Sequence, residues 1–172
     1  MQSYSIRNAH PNEFKAIGQL MVEVYSQLEG FPKPEAHPVY YEMLAKVGEL
    51  TQKEGTELLV AVSSEGEIAG AVVYFNDIRH YGADDIAAHE KEAAGFRLLA
   101  VGPSTRGAGL GKRLTIECIN KAKEANHKQV IIHSTNAMKL AWGMYERLGF
   151  RRSEDLDFSK GTLQIFGFRL KL

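Results

Sequence analysis

Between Gly102 and Lys112 the chain reads Gly102-Pro103-Ser104-Thr105-Arg106-Gly107-Ala108-Gly109-Leu110-Gly111-Lys112, with glycine at three alternate positions and cations at Arg106 and Lys112. A helical pattern begins at Gly109, so these glycines lie where helix N-terminal amides lack intrahelical partners. Unshielded amides, the positive end of a helix dipole and two cations make an anion site of the kind that takes phosphate or pyrophosphate. The plain alternative is a tight strand-to-helix turn that needs positive φ, which accounts for one glycine more readily than for three. Two familiar phosphate loops fail on their residues. A Walker-type loop needs glycine where Arg106 stands and Ser or Thr where Arg113 stands. A dinucleotide fingerprint begun at Gly107 would end on Lys112 instead of glycine. Both mismatches speak against a nucleoside-triphosphate or dinucleotide enzyme.

The loop sits between two strongly patterned elements. Residues 96–101 (FRLLAV) predict a buried strand, and Leu110, Leu114, Cys118, Ala122 and Ala125 recur on one helix face. Upstream, residues 4–8 predict a short strand, and Pro11 opens a helix running to about Leu28. Gly30, Pro32 and Pro34 force a loop, and a second helix is predicted over 39–52. Residues 58–62 and 68–75 read as a hairpin about Ser64-Glu65-Gly66-Glu67. The polar segment 76–92 has no period and is long for a connection, a length that usually marks function or mobility. Downstream come a strand at 130–132, a helix at 137–148 closed by Gly149, and two last strands, one from Phe150 and one over 162–172. In the final strand the apolar phase changes at Gly167, which predicts a bulge. The order is β-α-α-β-β-β-α-β-α-β-β, an α/β (α+β layered) domain occupying residues 1–172 as one unit.

Composition bounds the function. The 172 residues carry 21 basic and 21 acidic side chains, a formal net charge of +0, which argues against steering toward nucleic acid or an anionic membrane. With Cys118 as the one cysteine, a disulfide framework or a multi-cysteine zinc site is excluded. The first residues lack the basic-then-apolar layout of a secretion signal, and no apolar run approaches a bilayer span. A cytoplasmic location is expected.

Arg106, Gly109 and Gly111 spell R-x-x-G-x-G behind the strand Leu98-Leu99-Ala100-Val101. His133-Ser134-Thr135-Asn136-Ala137-Met138 and then Met144-Tyr145-Glu146-Arg147-Leu148-Gly149-Phe150 follow at a set distance. Together these motifs resemble the GNAT superfamily of N-acetyltransferases, closely over residues 96–152 and only in element order before residue 55. The resemblance implies an acyl-CoA N-acyltransferase fold, a mixed, mostly antiparallel sheet flanked by about four helices. It implies acetyl-CoA as co-substrate, its pyrophosphate on the amides of Arg106, Gly107, Ala108, Gly109, Leu110, Gly111 and Lys112. The pantetheine arm would pair like a strand with Leu99, Ala100 and Val101, and a backbone N–H near Val101 would polarise the thioester carbonyl. Tyr145 matches the family's general acid for the leaving thiolate and would also touch the cofactor, against the simpler role of packing beside Leu148. Asn136 would touch the cofactor arm or cap the following helix.

The general base does not carry over, because Gly95 stands about where many members have glutamate. Glu90, Glu92 and His89 just upstream, or His133 on the neighbouring strand, are candidates, with Glu92 and His133 the tentative choices and a water chain the alternative. His80, Asp84, Asp85, His89 and Glu90 lack the spacing of common metal ligands, so no metal is expected. The acidic loop would suit a cationic amine. Cys118 lies on the apolar helix face, which argues against an acyl-cysteine route. The leading expectation is direct, ternary-complex acetyl transfer to a small-molecule or peptide amine, in a chain that can form a homodimer. The competing one is a non-catalytic acyl-CoA-binding sensor or partner module.

Overall fold

The computed structural model describes residues 2–82 and 86–172. Its strands are β1 (Tyr4–Asn8), β2 (Thr56–Ser63), β3 (Ile68–Phe75), β4 (Ala93–Val101), β5 (Gln129–Ser134), β6 (Arg151–Arg152), β7 (Phe158–Lys160) and β8 (Leu163–Lys171). They form one sheet in the order β1-β2-β3-β4-β5-β8-β6, with β7 joining β8 alongside β6. Every pairing is antiparallel except β4 with β5. The helices are α1 (Phe14–Ser26), α2 (Pro38–Ala45), α3 (Leu110–Glu124) and α4 (Lys139–Arg147).

The central strands β2 and β3 are buried on both faces, which their near-continuous apolar runs require. Alternation sends Leu58, Val60 and Val62 to the face covered by α1 and α2, and Leu59 and Ala61 to the face covered by α3 and α4. Parallel neighbours cannot be joined by a hairpin, so α3 crosses over between β4 and β5 and puts the glycine loop at the C-terminal end of β4.

Three expectations are corrected. The helix predicted over 39–52 ends at Ala45, and a 3-10 turn, Val47–Gln52, follows. Close approach to α1 is the reason: a β-carbon on Gly48 would lie 2.2 Å from the Phe14 ring, and one on Gly18 would lie 2.1 Å from the Ala45 carbonyl oxygen. The strand predicted from Phe150 is split into β6 and β7 by a 3-10 turn, Glu154–Leu156. The bulge predicted at Gly167 is absent, because β8 pairs with β5 in unbroken register from Lys171 to Phe166. The irregularity lies in the opposite neighbour, where the inserted turn presses on Gly167: a β-carbon there would sit 2.3 Å from that of Leu156. The phase change in the sequence is simply a strand with both faces covered.

Candidate active site

β4 and β5 pair only from Ala93 to Gly95 and from Gln129 to Ile131. Beyond that the strands part, leaving an open edge on β4 from Phe96 onward. The parted stretch of β4 carries a bulge against β3 in which Leu98 and Leu99 together face Val72, with Leu98 in the left-handed region at φ 62°. Such a bulge sharpens local twist and bends its strand.

On one side of the gap stands the start of α3. Gly107 and Gly109 have φ of 88° and 76°, and a β-carbon at either would meet nothing within 4 Å. No side chain caps the helix, and Arg106 and Lys112 are exposed beside it. Leu110 is buried in the core, so it offers the loop only its amide. Leu99, Ala100 and Val101 lie on the diverging end of β4, where the Tyr25 hydroxyl already donates to the Leu99 carbonyl at 3.1 Å.

On the other face of the sheet is a cavity of about 180 Å³. Its wall is largely aromatic, including Tyr25, Phe31, Tyr40, Tyr81 and Phe158. Arg97 reaches it from β4, donating to the Tyr81 carbonyl oxygen at 3.0 Å and lying 5.9 Å from the centre of the Tyr81 ring. Lys160 and the hydroxyl-bearing Ser134 and Thr135 also line it. Both hydroxyls are buried and without a hydrogen-bond partner among the described residues, an expensive condition unless a ligand supplies one. Sequence reasoning missed Arg97, although a cation inside the apolar run FRLLAV is the signal for it.

His133 lines the cavity with both ring nitrogens engaged. Nε2 donates to the Leu156 carbonyl oxygen at 2.8 Å, so Nδ1 accepts from the Tyr81 hydroxyl at 2.8 Å. Burial lowers its pKa from 6.5, the Leu156 contact opposes that, and the Arg97 charge reinforces it. Neutral imidazole is the resting form at pH 7.

Tyr145 is 6% exposed, in an aromatic group with Phe96 and Phe150 at ring-centre distances of 6.0 and 5.7 Å. Its charge would be felt by the Tyr25 and Tyr81 phenols, so it stands near the cavity without lining it. Burial pushes its phenol well above the ordinary value.

The other candidates go elsewhere. Glu92 is exposed at the N-terminal end of β4, by a separate groove with His89, Glu90 and Asp77. About six residues of strand at roughly 3.3 Å each separate it from Leu98. Glu90 forms an ion pair with Arg169. The glutamate position at Gly95 is filled by another ring, since a β-carbon there would lie 2.7 Å from Tyr81. Asn136 is exposed and starts a short turn, and its side chain caps neither that turn nor α4. His80 lies 3.7 Å from Asp77, while Asp84 and Asp85 fall outside the described residues. No cluster of three metal-ligating side chains and no helix long and apolar enough to cross a membrane occurs among the described residues. The Cys118 thiol is buried, and burial raises its pKa, so it stays protonated.

The model of the acetyltransferase (GNAT) family matches residues 19–150. The chain belongs to the GNAT family. An uncharacterised N-acetyltransferase of Escherichia coli K12, YjgM, is 28% identical over 100 residues, which cover 58% of this chain and 53% of that protein. The chain thus spans about half the length of the curated relative it matches. Among solved structures, the ribosomal-protein-alanine N-acetyltransferase of Brucella melitensis superposes with a TM-score of 0.73 at 18% identity, over 98% of this chain and 99% of that one. The yncA protein of Salmonella typhimurium, solved with its cofactor acetyl-CoA, gives 0.67 at 16% identity over 99% and 94%. The GNAT family's acyl donor is acetyl-CoA, and the residues present fit it: open glycines, uncapped amides and two cations stand beside an unpaired strand edge.

Proposed function

We propose that this chain, as one GNAT domain over residues 1–172, transfers the acetyl group of acetyl-CoA to a primary amine by direct attack in a ternary complex. The observation that carries the reading is the parting of β4 from β5 between an anion cradle and an aromatic cavity. When bound, the donor supplies an activated thioester. An N–C bond forms as the C–S bond breaks, one proton leaves nitrogen and one reaches sulfur. The amides of α3 and the cations Arg106 and Lys112 hold the diphosphate, and the edge of β4 from Leu99 to Val101 orients the arm. His133 is the base through a relay: the Tyr81 hydroxyl gives its own proton to Nδ1 as its oxygen takes one from the amine nitrogen. Tyr145 acts by hydrogen-bond donation to the departing sulfur. Its phenol pKa lies well above the reference thiol value of about 8.5, so complete transfer before C–S cleavage is uphill.

Free-thiol release from acetyl-CoA across a panel of small and peptide amines tests the reading. Amine-dependent release is expected, and Tyr145→Phe should lower kcat with little change in donor KM. Donor binding with no amine-dependent thiol would instead support the non-catalytic module.

A further inference from the structure

We propose that the acceptor is a compact amine that also carries an anionic group, an apolar amino acid being the type case, with Arg97 and Lys160 receiving the anion. This rests on the acetyltransferase reading and names the acceptor class that reading leaves open.

The charge of the cavity is one-sided. Arg97 and Lys160 line it, and no described lining residue is Asp or Glu. Arg97 has no ion-pair partner among the described residues. Its guanidinium is pinned at one edge by the Tyr81 carbonyl and by the Tyr81 ring, leaving further N–H donors for a ligand. A half-buried cation in an aromatic wall carries a desolvation cost that an anion would offset, and the planar fork suits a carboxylate in two-point contact. Arg97 is also the cation felt by Tyr25, Tyr40, Tyr81 and His133 around the cavity. A polycation entering here meets like charge, whereas a zwitterion enters with no net charge. The unpartnered hydroxyls of Ser134 and Thr135 add neutral hydrogen-bonding capacity in the same wall. Phe31, Phe158, Leu163 and Ile165 give the same cavity, about 180 Å³ in all, an apolar wall for the body of the molecule, room for a side chain rather than a long chain.

The test compares acceptors that differ in the anion alone. Phenylalanine is set against phenethylamine, leucine against isopentylamine, and 1,4-diaminobutane stands as the dication. With the full chain and acetyl-CoA, kcat/KM should favour the amino acid by at least tenfold within each pair. Arg97→Gln should collapse that ratio mainly through KM, Arg97→Lys should restore part of it, and Lys160→Ala should lower it less. Calorimetric binding of N-acetylphenylalanine against N-acetylphenethylamine reads the same preference without turnover, so an inactive protein still decides the matter. Equal affinities, a preference for the decarboxylated partner or the diamine, or a ratio unchanged in Arg97→Gln overturns the proposal. The wild-type ratio stands even where a variant folds poorly.

Discussion

His133 is committed at both nitrogens, and that commitment fixes its tautomer without a carboxylate. Charging it would turn Nδ1 from acceptor to donor, so the Tyr81 hydroxyl would have to turn its own proton away and accept instead. Because its folded pKa lies below 6.5, unfolded chains bind this proton more readily than folded ones. Its contribution to stability is therefore complete above about pH 6.5 and declines as the pH falls below that reference value. The same titration should give kcat/KM an acid limb below pH 6.5. In His133→Gln, whose amide can still donate to the Leu156 carbonyl, we expect kcat to drop about 10²-fold and the limb to disappear, as read from a pH–rate profile. A limb that survives the substitution belongs to another group.

At the scale of elements, Gly107 and Gly109 at the start of α3 face no protein atom, so a methyl added there would land in the space proposed for the donor. Gly109→Ala should cost about 1 kcal/mol in thermal unfolding, because φ of 76° is strained for an L side chain, and should raise the KM for acetyl-CoA about tenfold or more. Gly66→Ala in the β2–β3 turn, at φ 85° with equally open surroundings, should show a similar stability loss and an unchanged donor KM. The contrast separates strain from obstruction. Elements read well from sequence where their signals were local: the glycine loop, the periodic face of α3, the Gly149 cap. They read poorly where distant contacts decided the backbone, as with Gly48 beneath Phe14 and Gly167 beneath Leu156. The aromatic cavity was illegible for the same reason, since Tyr25, Phe31, Tyr81, Arg97, His133 and Phe158 come from six separate segments. Arg106 and Lys112 announced themselves beside glycines, whereas Arg97 matters only because of what the fold wraps around it.

For the whole molecule, the zero net charge conceals an uneven spread of charge along the sheet. Arg97 and Lys160 line the cavity and Arg106 and Lys112 flank the start of α3, whereas the groove by the start of β4 mixes Glu54, Asp77, Glu90 and Glu92 with Arg79 and Lys91. Donor capture should therefore be sensitive to salt. Raising NaCl from 0.05 to 0.5 M should weaken coenzyme A binding several-fold and leave that of phosphate-free pantetheine nearly unchanged, as measured by calorimetry. The parallel ladder has a separate consequence for this sheet. Within the strand ladder, three residue pairs, Ala93–Gly95 with Gln129–Ile131, join β1–β4 to β5–β8, and the Lys128 N–H donates to the Glu92 carbonyl oxygen at 2.7 Å just before them. The sheet is thus two halves on a short ladder, and a donor held as proposed would touch both. Deuterium uptake at the amides of 93–95 and 129–131 should outpace that of β2 and β3, and coenzyme A should slow it at the seam more than anywhere else. On the proposed reading the acyl donor would act as the missing length of the sheet, fastening the two halves each time the site fills.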